Sequence, residues 1–164
     1  MMQKLLLSYL NYAMSDKKLI SISGPTAIGK TKLAIKLAKY LNSEVISFDS
    51  RQFYKEMTIG TAVPSKFELN EVKHHFIQHK SILESYTVYD FSMEANKLIK
   101  KLFKVYDNII LVGGSYMFLK SIIYGIDKIP KIPNEFRNNL NKKLKINGIE
   151  YLQSILSIKD PEYY

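Results

Sequence analysis

Gly24-Pro25-Thr26-Ala27-Ile28-Gly29-Lys30-Thr31 follows the apolar run Leu19-Ile20-Ser21-Ile22 and precedes the amphipathic run from Lys32 to Leu41. This is strand, glycine loop and helix in immediate succession. The G-x-x-x-x-G-K-[ST] spacing lets successive backbone N–H groups curl around phosphate oxygens, with Lys30 as a mobile positive charge and the Thr31 hydroxyl placed for Mg²⁺. Gly24 and Gly29 are required because the loop takes positive φ angles and an anion must approach the backbone where a Cβ would intrude. The motif specifies an anion and not a reaction. The diphosphate of a nucleotide and that of an isoprenoid look alike to it.

The order of elements downstream predicts an α/β fold with a parallel sheet. The first helix is expected to turn Leu33, Ala34, Leu37, Ala38 and Leu41 toward the sheet and Lys32, Lys36 and Lys39 outward. Glu44 to Phe48 reads as a second buried strand. Asp49-Ser50-Arg51-Gln52 lies just past its carboxyl end, where doubly wound sheets bind ligands, so Asp49 is expected near Lys30 and Thr31. Its alternative use is to cap the next helix. Ser65 and Glu68 have capping-box spacing. His74, His75 and His79 follow without a cysteine or an H-E-x-x-H pattern, which argues against zinc. A long helix from Val88 to Tyr106, capped by Thr87, should bury Phe91, Ala95, Leu98, Ile99, Leu102 and Phe103. Ile109 to Val112 is a strand, and Gly113-Gly114-Ser115 turns it into a helix closed by Gly125.

From these features residues 18–129 are expected to form the α/β core, after an N-terminal extension at 1–17 in which Met14 offers a more economical start. Residues 130–164 open a different, helical region. Lys131-Ile132-Pro133 links it, Asn134 caps its first helix, Gly148 ends that helix, and a second runs from Ile149 to Ser157. The sheet has only its early strands, so the core is expected to be incomplete.

Among the 164 residues are no cysteines, which excludes a disulfide framework, a thiolate metal site and a cysteine nucleophile. No stretch approaches membrane-spanning length, and a cytoplasmic monomer is expected. The formal charge of +9 favours an anionic partner such as nucleic acid, although a lysine-rich genomic composition gives the same balance. Against that lysine background the only arginines are Arg51 and Arg137. A guanidinium suggests a site that wants planar, bidentate geometry.

Gly-Pro-Thr-Ala-x-Gly-Lys-Thr at 24–31, Asp-Ser-Arg-Gln-x-Tyr-Lys at 49–55, Ile-Gly-Thr-Ala at 59–62, His-His at 74–75 and Val-Gly-Gly-Ser at 112–115 together resemble tRNA dimethylallyltransferases. The resemblance implies a P-loop NTPase-like three-layer fold joined to a helical, tRNA-contacting insertion. It implies transfer of the dimethylallyl group of dimethylallyl diphosphate to N6 of adenosine 37 in tRNA. In that scheme Gly24, Pro25, Thr26, Ala27, Ile28, Gly29, Lys30 and Thr31 hold the diphosphate, with Mg²⁺ on Thr31 and ATP as a further candidate ligand of the loop. Asp49 accepts the amine proton and Lys30 assists catalysis. Asp49, Ser50, Arg51, Gln52, Ser115 and Arg137 would face the tRNA. Ile28, Val63, Lys73 and Ser115 depart from the family's usual serine, lysine, proline and threonine. Family chains are also longer, with a returning part of the core and a Gln-Arg-Leu-x-Arg-Ala stretch, so a fragment or a truncated protein is expected. Two alternatives remain at this stage: a small-molecule kinase with the same loop, and a non-catalytic tRNA-binding remnant. The kinase requires cationic side chains over the transferring phosphoryl group, and after Arg51 the chain has one arginine.

Overall fold

A computed structural model describes residues 17–127 and 132–164, so all of the expected N-terminal extension except Lys17, and part of the linker near residue 130, lie outside the described residues. The described residues form two compact units, one reaching Ile126 and one running from Asp127 to Tyr164.

The first unit is built on four parallel strands: β1 (Lys18–Ser23), β2 (Val45–Ser47), β3 (His74–His75) and β4 (Asn108–Gly113). Their order across the sheet is β1-β4-β2-β3. The chain leaves β1 through helix α1 (Lys30–Tyr40) to a strand two places away, and β4 later fills the gap. Ser23 pairs with Gly113 and Ser47 with Val112, so the carboxyl ends of β1, β4 and β2 finish side by side. Three strand-end turns therefore meet at one edge of the sheet, which is where open α/β sheets place their ligand crevice.

Side chains alternate across β4 and divide the core into two layers. Ile110 and Val112 pack with Val45 and with Ala34, Ile35 and Ala38 of α1. Ile109 and Leu111 face the other way, onto Phe91, Ala95, Ile99 and Leu102 of α3 (Val88–Leu102) and Leu119 and Ile122 of α4 (Tyr116–Tyr124). The result is helix, sheet, helix: a three-layer α/β fold.

The buried face of α1 is rotated from the expected one. Ile35 is buried while Leu33 is 55% exposed, because the helix begins at Lys30 inside the loop and turns positions 34, 35 and 38 to the sheet. Helix α3 keeps its predicted stripe and is closed at its start by a reciprocal Thr87–Asp90 capping box, but it ends at Leu102. A turn then brings the Tyr106 hydroxyl to donate to Glu44 Oε1 at 3.1 Å. The Ser65–Glu68 capping box opens the short helix α2 (Lys66–Glu71) as its spacing predicts.

Gly113 explains the closeness of the strand ends. A Cβ there would stand 2.6 Å from Phe48 Cδ2 and 2.8 Å from the backbone nitrogen of Asp49. Only a residue without a side chain lets β4 pass so near the β2 turn.

The second unit is helix α5 (Asn134–Lys159), interrupted at Gly148, whose φ of 75° and ψ of 179° break the run where the sequence predicts. Pro133 rather than Asn134 occupies the cap position, and Asn134 is the first helical residue with no side-chain cap bond. The extended ψ of Pro133 (139°) starts the helix one residue earlier than expected. Among the described residues no helix is long and apolar enough to cross a membrane.

Candidate active site

The loop from Gly24 to Thr31 takes the strained path its sequence requires. Gly29 has φ 91° and Gly24 φ 159°, and Ala27 adds a left-handed non-glycine residue at φ 66°. Gly29 also occupies the N-cap position of α1 without a side-chain cap, which leaves the first-turn N–H groups to be satisfied by an anion or by solvent. The Lys30 ammonium donates to the Pro25 carbonyl at 2.5 Å, within its own loop.

Lys30, Thr31 and Asp49 line one cavity of about 290 Å³, together with Thr26, Gly29 and Gly113. The strand-end carboxylate and the phosphate loop thus meet as the sequence predicts. A second cavity of about 340 Å³ is lined by Ser50, Arg51, Gly60, Thr61, Gly114 and Ser115, and both Asp49 and Thr26 border it as well. A Cβ added to Gly114 would lie 3.5 Å from the Gly24 carbonyl oxygen and 3.6 Å from Asp49 Oδ2, so the second glycine turn fits between the loop and the carboxylate. Asp49 borders both cavities.

Asp49 serves as a cap, the alternative use its sequence position offers, and it lines both cavities as well. It occupies the N-cap of the 3₁₀ turn Ser50–Phe53, and its Oδ1 accepts from the Arg51 N–H at 3.2 Å. Its other oxygen, Oδ2, lies toward Gly114, which lines the second cavity. The cap fixes the carboxylate's orientation without occupying both oxygens.

Of the residues expected to meet tRNA, Asp49, Ser50, Arg51 and Ser115 gather around the second cavity. The Ser115 hydroxyl accepts the Ser50 N–H at 3.1 Å and shares a second 3.1 Å hydrogen bond with the Ser50 hydroxyl, tying the turns after β2 and β4 together. Gln52 is different. It is buried, its Oε1 accepts from Ser47 Oγ at 3.1 Å, and its Nε2 donates to the carbonyls of Thr61 at 3.3 Å and Ala62 at 2.8 Å. Its amide is a strut that holds the 61–62 segment to the sheet, and it reaches the first cavity only as lining. Arg137 belongs to the second unit, where it is exposed near the start of α5, whereas both cavities are built by first-unit residues.

Sequence reasoning left His74 without a role, quoted Ala62 only as part of the Ile-Gly-Thr-Ala motif, and gave Ile77 and Pro64 no site role. All four line the first cavity. The clue was positional: Ala62, Val63 and Pro64 directly follow Gly60-Thr61, and Ile77 follows the histidine pair. His74 Nδ1 lies 2.7 Å from the Val72 carbonyl, which can only accept, so Nδ1 carries the hydrogen. Burial, partly offset by that hydrogen bond, pushes the imidazole's pKa down, and Nε2 is then a buried lone pair without a protein partner. His75 bonds instead to Glu44 Oε2 at 2.5 Å. Among the described residues no group of three or more His, Cys, Asp or Glu could hold a metal ion.

His79 is the second buried neutral imidazole. It sits edge-on to Phe53, Phe76 and Tyr86, with neither ring nitrogen hydrogen-bonded, and burial lowers its pKa as well. Both imidazoles resist protonation in the folded chain, whereas the unfolded chain protonates them near the ordinary 6.5. The unfolded state therefore binds more protons below that point, and stability falls as pH drops through and below it. The thermal midpoint is expected to decrease from pH 7.5 to 5.5, and His79→Phe should flatten part of that slope. A midpoint that is level or rises over the interval contradicts this.

Comparison with known proteins matches this arrangement to one family. The model of the IPP transferase family matches residues 52–164. The tRNA dimethylallyltransferase of Flavobacterium johnsoniae is 55% identical over 148 residues, which cover 90% of this chain and 48% of that protein. A crystal structure of the full-length tRNA isopentenylpyrophosphate transferase of Bacillus halodurans superposes with a TM-score of 0.66 at 38% identity, over 90% of this chain and 49% of that one. A eukaryotic dimethylallyltransferase acting on tRNA gives a TM-score of 0.74 at 29% identity, over 90% and 37%. The chain spans about half the length of the curated relatives it matches.

Proposed function

Because the chain belongs to the IPP transferase family, we propose that its two cavities serve prenyl transfer from dimethylallyl diphosphate to N6 of adenosine 37 in tRNA. The observation that carries this reading is the position of Asp49, which borders both the phosphate-loop cavity and the polar cavity beside it. One cavity takes the leaving group and the other the incoming base.

The chemistry follows from that division. The C1–O bond of the allylic diphosphate breaks as the C1–N6 bond forms, and pyrophosphate departs into the loop. Backbone N–H groups and Lys30 stabilise the charge that develops on it. Asp49 accepts the N6 proton, a task suited to a carboxylate held in hydrogen-bond reach. An exocyclic amine is a weak nucleophile, so much of the acceleration comes from leaving-group stabilisation and from holding both reactants in line. Ser50, Arg51 and Ser115 line the side from which an unpaired anticodon-loop base would enter. Gln52 contributes by rigidity, since its amide is already satisfied.

Thr31 lines the cavity, and its hydroxyl is a hard oxygen of the kind that suits Mg²⁺. With no acidic cage among the described residues, the ion would rest on Thr31, substrate phosphate oxygens and water. Bound there it would neutralise charge on the diphosphate. Lys30 and the loop amides also suit ATP, which carries no separate functional reading. We place the chain in the cytoplasm, acting as a monomer.

The test is incubation of the 164-residue chain with labelled dimethylallyl diphosphate, Mg²⁺ and unmodified tRNA. Label on adenosine is expected. ATP turnover with a small alcohol would make it a kinase, and tRNA retention without label transfer would make it a non-catalytic binder.

A further inference from the structure

We propose that Ile77 closes the isoprenoid end of the phosphate-loop cavity and restricts the accepted diphosphate to a five-carbon chain, an inference that rests on the prenyl-transfer reading. The cavity has two kinds of wall. Loop amides, Lys30 and Thr31 supply the anion contacts, and Ala62, Val63, Pro64 and Ile77 offer aliphatic carbon; Gln52, Glu68 and His74 line the cavity too, the Gln52 amide being engaged with Ser47, Thr61 and Ala62 and the Glu68 carboxylate with Ser65. A ribose or a base would need several donors and acceptors from that second wall. An allylic tail needs only carbon.

Backbone strain shows that Ile77 is placed there and held. Phe76 (φ 61°) and Gln78 (φ 47°), the residues on either side of it, are both left-handed without being glycine. Such conformations persist only where surrounding contacts over-determine them, and they gather at ligand sites. Here the contacts are specific. The Gln78 N–H donates to the Gln52 carbonyl at 2.8 Å, and the Phe76 ring packs edge-on against Phe91 with centroids 5.1 Å apart. Ala62, next to Val63, is likewise left-handed at φ 50°, and its carbonyl accepts from Gln52 Nε2 at 2.8 Å. One buried glutamine therefore pins both aliphatic segments, through its main chain on one and its side chain on the other.

A wall fixed at two points discriminates by size. Ile and Val are also stiff at χ1, so neither swings aside cheaply. The cavity's volume of about 290 Å³ has to hold the diphosphate as well as the tail. Each added methylene that meets a rigid apolar stop changes selection by about 10- to 200-fold.

The experiment measures binding of inorganic pyrophosphate, dimethylallyl diphosphate and geranyl diphosphate to the 164-residue chain by titration calorimetry. The unaltered chain is expected to bind dimethylallyl diphosphate more tightly than either of the others. Ile77→Ala should raise the geranyl-to-dimethylallyl affinity ratio by about 10-fold or more, with pyrophosphate binding unchanged. Ile77→Phe should weaken dimethylallyl diphosphate alone. If Ile77→Ala does not fold, Val63→Ala opens the same wall and is expected to shift the ratio in the same direction. A ratio that stays within about twofold in a folded variant overturns the proposal. So does an unaltered chain that binds pyrophosphate without preferring the prenylated form. An unaltered chain that binds none of the three removes the prenyl-transfer reading itself, and this proposal with it.

Discussion

On the proposed prenyl-transfer reading, Asp49→Asn is expected to lower the rate of transfer by about 10²- to 10⁴-fold, the usual contribution of a positioned general base, while pyrophosphate affinity and the thermal midpoint stay close to their original values. Asparagine caps a helical turn about as well as aspartate, so the bond from the Arg51 N–H is retained and the 3₁₀ turn keeps its shape. What the variant lacks is basicity. Asp49→Ala removes both functions and should lose about 1 kcal/mol of stability in addition, the typical value of a cap. Comparing the two separates positioning from proton transfer. Single-turnover measurements with labelled dimethylallyl diphosphate report the rate and thermal unfolding the stability. Asp49→Asn turning over at the original rate would remove the carboxylate from the mechanism.

Phe53→Ala is expected to destabilise the first unit by about 3–5 kcal/mol, the range for removing a buried aromatic ring. Phe53 is 1% exposed and ends the turn that begins at Asp49. Its ring stacks on Phe91 at 5.1 Å and meets Phe118 and Tyr86 edge-on at 5.4 and 5.6 Å. The cluster anchors the candidate site from beneath, so loss of the ring should loosen the carboxylate before it unfolds the sheet. Phe53→Leu, which keeps more of the volume, should cost less than the alanine variant. Urea unfolding measures both, and a cost below about 1 kcal/mol for Phe53→Ala would mean that the site is held some other way.

What could be read from the chain follows from the range of the forces involved. The turn of the glycine loop into its helix, the Thr87 and Ser65 capping boxes and the Gly148 break are set by residues within a few positions of one another, and each stands where local chemistry puts it. The union of Lys30, Thr31 and Asp49 was legible because parallel sheets bring strand ends together. Strand β3 was not, since two half-buried histidines have no periodicity and the strand exists through its pairing with β2. The role of Gln52 was also hidden. Its type and place suggested a ligand contact, but its partners are backbone carbonyls nine and ten residues away, which no spacing rule indicates. Ile77 was invisible for a related reason. Nothing in Phe76-Ile77-Gln78 announces left-handed backbone, because tertiary contacts impose it.

The linked serines at 50 and 115 carry a consequence of their own. Ser115 Oγ already receives the Ser50 N–H, and the mutual bond between the hydroxyls consumes one of their two protons. One O–H is therefore always left over, on Ser115 when Ser50 donates and on Ser50 when Ser115 donates. The pair acts as a two-position relay that moves a single donor between two neighbouring points by hydroxyl rotation alone. On the prenyl-transfer reading, an entering base edge would select whichever point fits, with no shift of the main chain.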